Sequence, residues 1–275
     1  NARSLLAQPQ SRSIWSNELR YSSNWQGPFN LVGGVFFQKE KSNFNSRVDS
    51  ADANGVAEAN PIVYLWRSID TEIENRSLFG ELSYDLTSKL TATVGARWFQ
   101  FDVDEQSSLM IACCSGNTPG PGPAAPTASS DKDVNYKLNL SYEVNDDLLF
   151  YAQAAQGFRS GGNNEPGISV VPGCQNASSF SSDGLWNYEI GAKMALLDNR
   201  AVVNLTPYYI DWSDMQVRAF NPLCNNARIA NAGEARIQGV EAEVVLRPVA
   251  ALQFNLTFNY SDAELTENQP LATGT

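Results

Sequence analysis

The chain contains no histidine among its 275 residues, so the side chain that most often serves as general base near neutral pH is missing. Its absence removes Ser-His-Asp and Cys-His catalysis and the commonest zinc ligand. Basic residues are scarce too: 19 Lys and Arg stand against 30 Asp and Glu, a formal net charge of −11. Phosphate backbones need the opposite balance, and no basic patch stands out, so no nucleic-acid partner is expected. No stretch approaches the 18 or so apolar residues of a spanning helix. Cysteine is limited to Cys113, Cys114, Cys174 and Cys224, none in CxxC spacing, and without histidine they suggest no metal site and no cofactor. Glu241 and Glu243 lie two apart, which on a strand makes them one wetted face rather than an acid/base dyad. No enzyme is expected.

What the chain does have is strict alternation. Leu252, Phe254, Leu256, Phe258 and Tyr260 share one parity, and Gln253, Asn255, Thr257, Asn259 and Ser261 the other. The same holds for Val134, Tyr136, Leu138, Leu140 and Tyr142 against Asn135, Lys137, Asn139, Ser141 and Glu143. It holds again for Leu90, Ala92, Val94, Ala96 and Trp98 against Thr91, Thr93, Gly95 and Arg97. Successive strand side chains point to opposite faces, so each segment has one oily and one wet side. Roughly ten such strands are expected, many long enough for the 9 to 11 residues that cross a bilayer. They begin near Ser13, Pro28, Arg76, Lys89, Asp133, Asp147, Trp186, Arg200, Ala235 and Ala250.

A soluble sandwich alternates in the same way, so the connections decide. Tight turns are expected at Ser22 to Gly27, Asp85 to Ser88, Asn145 to Asp146, Asp198 to Asn199 and Arg247 to Val249. Between them lie aperiodic stretches at Lys41 to Asp70, Ser107 to Lys132, Ser160 to Gly184 and Asn221 to Asn231. Short turns at one end and long loops at the other characterise a barrel in an outer membrane, with the long loops outside the cell. A hydrophobic fraction of 43% and a mean hydropathy of −0.30 fit a barrel as well as a soluble protein. Tyr21, Phe37, Trp98, Tyr142, Tyr209 and Tyr260, near strand ends, are candidates for interfacial girdles.

Parity places Glu18, Arg20, Glu81, Arg97, Glu189, Lys193, Glu241 and Glu243 on the wet face. A cation on the lipid side near mid-bilayer costs about 2 to 4 kcal/mol, which argues for Arg97 and Lys193 inside. For any one of them a hydrated cross-strand ladder is the plainer role. Arg159, in GFRSGG where a strand enters an outward loop, is the best single candidate for ligand contact; pinning the loop is its alternative role. All four cysteines fall in the expected outer loops, where disulfides form; a bridge within the adjacent pair would be strained, and Cys174 with Cys224 is the more natural pairing. GNTPGPGPAAPTASS, dense in proline and glycine, reads as a mobile loop without regular pairing. Pro207 cannot donate to a ladder, so a bulge or irregular pairing is expected there.

Several segments in order carry a family likeness: NELRYSS, FNLVGGVFF, SLFGELSYDLTSKLTATVGARW, LLFYAQAAQGFRSGG, NYEIGAKMALLDNRAVVNLTPYYIDWSDMQV and NAGEARIQGVEAEVVLRP. Together they resemble the TonB-dependent outer-membrane receptors over most of the chain. The resemblance implies a monomeric barrel of about 22 antiparallel strands, closed by an N-terminal plug, that imports bulky scarce nutrients with energy relayed from the inner membrane. The partners implied are outer-membrane lipid and lipopolysaccharide, the receptor's own plug, the TonB complex and a bulky small molecule. Siderophores, cobalamin and saccharides all remain open as substrates. The chain shows no plug, no TonB-contacting segment and no terminal closing strands, so it is expected to be an internal portion of the barrel domain. A passive porin is the alternative, and a surface-binding β-protein a third reading.

Overall fold

The computed structural model describes residues 3–112, 116–164, 179–221, 226–231 and 233–267. Every regular element among them is a strand. Arg3–Ala7 (β1) and Gln10–Ser22 (β2) both pair with Phe29–Ala51 (β3), as two pieces of one edge strand broken at Gln8 and Pro9. Val63–Asp85 (β4) and Leu90–Ile111 (β5) follow. Pro119–Pro123 (β6) and Thr127–Asn145 (β7) both pair with β5, again as one interrupted strand. The sheet continues through Leu148–Arg159 (β8), Asp183–Leu196 (β11), Ala201–Ser213 (β12), Ala235–Val249 (β15) and Leu252–Leu265 (β16). Two hairpins stand apart, Gly162–Asn163 (β9) with Ser179–Phe180 (β10), and Gln216–Asn221 (β13) with Asn226–Asn231 (β14).

Every neighbouring pair is antiparallel and adjacent in the chain, an up-and-down meander in ten positions. The tight connections fall where turn chemistry put them. At the β11–β12 turn, Leu197, Asp198 and Asn199 all take positive φ, of 55°, 54° and 62°. Aspartate and asparagine tolerate that conformation better than most residues.

Two aperiodic stretches are largely strand, contrary to expectation. Lys41 to Asp70 is occupied by β3 as far as Ala51 and by β4 from Val63, well before Arg76. Ser107 to Lys132 holds the end of β5, all of β6 and the start of β7, so the proline- and glycine-rich segment pairs in part instead of looping freely. The reason is physical: beyond the lipid both faces of a strand are wet, so hydrophobic alternation ends while backbone pairing continues. The hairpin β13–β14 likewise fills part of Asn221 to Asn231. Pro207 makes no bulge. It stays in register with Val240, and only the bridges to β11 lapse beside it, between Glu189–Tyr208 and Ala192–Leu205. A missing N–H removes a hydrogen bond without displacing the chain.

The two faces follow the expected parity. Leu78, Val94, Leu138, Ile190, Leu256 and Phe258 are exposed on one side, which is the apolar outer wall. Rings gather at both of its margins. Near the turns Phe29 packs on Tyr84 (4.5 Å between centroids), and toward the loops Trp15 meets Phe37 (5.5 Å) and Trp186 stacks on Tyr188 (5.9 Å). Above Phe37 the same face turns charged. Lys39 bridges Glu72 and Glu74, Lys41 reaches Glu72 (2.9 Å), and Arg76 holds Glu74 (2.7 Å). The hydrogen bonds that Lys39 donates to Glu72 and Glu74 raise its pKa, and those the carboxylates accept from Lys39, Lys41 and Arg76 lower both carboxyls. That switch marks the upper edge of the hydrocarbon. From Phe37 to Ala51, β3 runs roughly 45 Å beyond it.

Candidate functional site

The wet face carries the expected site residues, and it divides them into two groups. Glu18, Arg20, Glu81 and Arg97 line one open cavity of about 710 Å³ on the inner wall of β2 to β8, together with Lys137. Lys137 bridges Glu81 at 3.1 Å, and Arg20 bridges Glu18 at 2.8 Å. Arg97 donates to Ser77 Oγ at 2.9 Å, with its guanidinium 5.9 Å from the Phe36 ring. Arg20 lies 5.7 Å from the Phe79 ring. Three cations against two carboxylates give this patch a positive excess in a chain whose net charge is −11. Such a surface can hold polar or anionic groups of a neighbouring domain or a passing solute.

The second group forms a ladder further round the sheet. Glu189 accepts from Asn187 Nδ2 at 2.5 Å, Glu241 from Asn259 Nδ2 at 2.9 Å, and Glu243 from Asn204 Nδ2 at 3.3 Å. Lys193 sits 5.9 Å over the Tyr151 ring. These contacts stay within neighbouring strands, as a hydrated structural ladder requires.

Arg159 is separate from both. It donates through its backbone N–H (3.2 Å), Nε and Nη2 to Asp183, whose side chain is fully buried, and through Nη2 to the Gln216 carbonyl at 3.1 Å. Its guanidinium covers the Trp212 ring at 4.6 Å. Gln216 N–H also donates to Asp183 (2.9 Å), and Gln216 Nε2 reaches the carbonyls of Ser160 and Ser181. Asn231 Nδ2 donates to the carbonyls of Ser181 and Asp214. Burial alone would push the Asp183 carboxyl up. The Arg159 side chain and the Gln216 and Arg159 amides outweigh it and hold the pKa below the usual value. This constellation fastens the segment after β8 to the one after β12, which is the pinning role weighed for Arg159.

Three features of the wet face escaped the sequence reading. Phe79 lies against Gly34, Tyr151 against Gly191 and Tyr208 against Gly239, each ring directly across a strand pair from its glycine. A Cβ at any of these glycines would overlap the ring, so glycine is what lets the aromatic side chain lie flat on the neighbouring backbone. Spacing along one strand cannot show such pairs. The four cysteines lie outside the described residues. Among the described residues, no group of three or more Cys, Asp or Glu is arranged to hold a metal.

Residues 2–275 match the family model described as TonB dependent receptor-like, beta-barrel. The pesticin receptor of Yersinia pestis is 25% identical over 245 residues, 89% of this chain and 33% of the relative. A probable TonB-dependent siderophore receptor, PiuA of Acinetobacter baumannii, is 24% identical over 72% of the chain and 25% of its own length. Among solved structures, the ferric yersiniabactin uptake receptor FyuA from Yersinia pestis superposes with a TM-score of 0.77 at 22% identity, covering 98% of this chain and 38% of that one. The chain thus spans about a third of the length of the curated relatives it matches. An all-β meander with an oily outer wall, ringed by aromatics and wet within, matched end to end by that family model, belongs to the β-barrel of the TonB-dependent receptors of the bacterial outer membrane.

Proposed function

We propose that the chain forms part of the wall of a receptor that imports a bulky, scarce nutrient across the outer membrane in a TonB-dependent manner, with an iron chelate as the cargo class. The observation that carries this reading is the family match over the whole chain, joined to a continuous polar wall on the face opposite the lipid-facing rings. Both sheet edges, β2 and β16, are exposed along nearly their full length. Backbone groups in lipid must be paired, so further strands close the barrel in this reading. An N-terminal plug then packs on the cavity lined by Arg20, Arg97 and Lys137, and the TonB complex acts through that plug. Lipid and lipopolysaccharide meet the outer face, and the long loops point out of the cell. The iron-chelate class draws on what the relatives are named for: siderophores, ferric yersiniabactin and ferric catecholates.

The test is uptake of radiolabelled ferric chelates by cells that carry the intact receptor. Accumulation should stop when a protonophore collapses the inner-membrane gradient. Uptake indifferent to the gradient, accompanied by ion conductance in planar bilayers, would establish a porin instead.

A further inference from the structure

The outer wall is not smooth. Register sets Leu138, Ala154, Tyr188 and Tyr209 in one row across β7, β8, β11 and β12. The next row toward the turns holds Leu140, Ala152 and Ile190, with Pro207 beyond them where the bridges to β11 lapse. Each row runs large, small, large, so β8 is the floor of a trough between two ridges. The ridge residues are exposed, Leu138 to 54% and Ile190 to 67%. Phe150 closes the trough at the turn end. Gln156, whose Oε1 accepts from the Tyr136 amide at 2.9 Å, closes it toward the loops, about 20 Å of strand away.

The trough encloses about 590 Å³. Two polar residues border it, Gln153 and Glu189, but both have the opposite parity and belong to the wet face, where Glu189 is held by Asn187. The ridges on β7 and β11 stand two strand spacings apart, about 9 to 10 Å between backbones. With leucine, isoleucine and tyrosine side chains standing on them, the slot is one hydrocarbon chain wide, and a helix, about 10 to 12 Å across, does not enter it. In a bilayer the trough is filled by hydrocarbon or left void, and a void forfeits dispersion contacts along its whole lining. Tyr188 and Tyr209, with ring centroids 6.3 Å apart, bring phenolic groups to the loop end, at the depth where lipid ester carbonyls lie. Above them Asp211 and Arg236 are partners across β12 and β15, so the pair offers a head group no net charge.

We propose that this trough is a seat for one acyl chain of an outer-leaflet lipid, which lies along Ala152 and Ala154 with its ester carbonyl at the tyrosine end. The seat reads the shape of the chain and not the charge of the head group. Its occupant covers the stretch beside Pro207 where the β11–β12 ladder lapses within the hydrocarbon. The proposal needs only that this face meets lipid, and it stands whatever the cargo.

The test places the intact receptor in dimyristoyl phosphatidylcholine vesicles with a trace of phosphatidylcholine that carries a diazirine midway along one chain. After illumination, adducts are mapped by peptide mass spectrometry. The comparison surface is the outer wall around Ala242, where Val240 and Val244 on either side interrupt any trough. One chain gains no hydrophobic energy by leaving other chains, so the preference comes from packing alone, and the trough should be labelled about fivefold more than that surface. Ala152→Phe with Ala154→Phe should bring the trough down to the background, and Ala242→Phe should leave it unchanged. Moving the diazirine chain to phosphatidylglycerol should alter trough labelling by less than about twofold. Even labelling over the wall overturns the proposal, as does a larger head-group effect. So does labelling that survives in the filled variant when heat-modifiable migration shows it folded. Should that variant not fold, the wild-type ratio of trough to wall decides alone.

Discussion

The Arg159–Asp183 pair predicts an asymmetry. The Asp183 side chain is fully buried, whereas Arg159 is 48% exposed. In Asp183→Ala the freed guanidinium can turn to water and keep its stacking on Trp212. The loss is then the hydrogen bonds that the carboxylate accepted, discounted because one partner is half solvated, and comes to about 2 kcal/mol. In Arg159→Ala the carboxylate stays buried, with only the Arg159 and Gln216 amides to satisfy it, and the expected cost is larger, about 3 to 5 kcal/mol. The double variant should cost less than the sum, since the second substitution removes the stranded charge. Hydrogen exchange at the Ser181 and Gln216 amides of the intact receptor reads the local opening free energy that these bonds set. Equal effects of the two single variants, or a double variant that is simply additive, would refute the argument. The pair also sets a pH dependence. The folded pKa of Asp183 lies below its ordinary value, so its contribution is complete above the ordinary carboxylate range and disappears as pH falls through the folded pKa. Opening at Gln216, corrected for intrinsic exchange, should be flat from about pH 5 to 8 and rise below about pH 4.

Three further outcomes follow from the faces of the sheet. Leu138→Arg, on the outer wall, should cost about 2 to 4 kcal/mol in folding titrations into lipid bilayers, while Asn139→Arg beside it faces the lumen and should cost less than about 1. Gly239→Ala should lower thermal stability more than Gly191→Ala. At Gly239 the new methyl meets the Tyr260 backbone carbonyl as well as the Tyr208 ring, whereas at Gly191 its three nearest neighbours all belong to the Tyr151 side chain, which can swing away at the expense of its hydrogen bond to Thr206 (2.9 Å). Glu81→Gln should change stability by less than about 1 kcal/mol, because the Glu81–Lys137 pair is more than a third exposed at both ends. Exchanging the two charges, Glu81→Lys with Lys137→Glu, should restore a wild-type unfolding midpoint.

The sequence by itself determined which way each side chain faces. A strand has period two, so once Phe254, Leu256 and Phe258 share a parity, Asn255 and Thr257 must share the other, and no distant residue can change that. The same local rule placed Arg20, Arg97, Glu189 and Glu241 on the wet side, and turn-forming residues such as Asp198 and Asn199 marked the tight end. What tertiary structure decided was everything set by register between strands remote in sequence. Only pairing shows that Gly239 lies across from Tyr208, that Asp183 reaches Arg159, or that β8 parts from β7 and seats Phe158 on Phe99. It also decided how far the strands run beyond the lipid. Once both faces are wet, hydrophobicity no longer alternates, and the ladder that continues from Phe37 to Ala51 is held by backbone hydrogen bonds that side-chain patterns do not report.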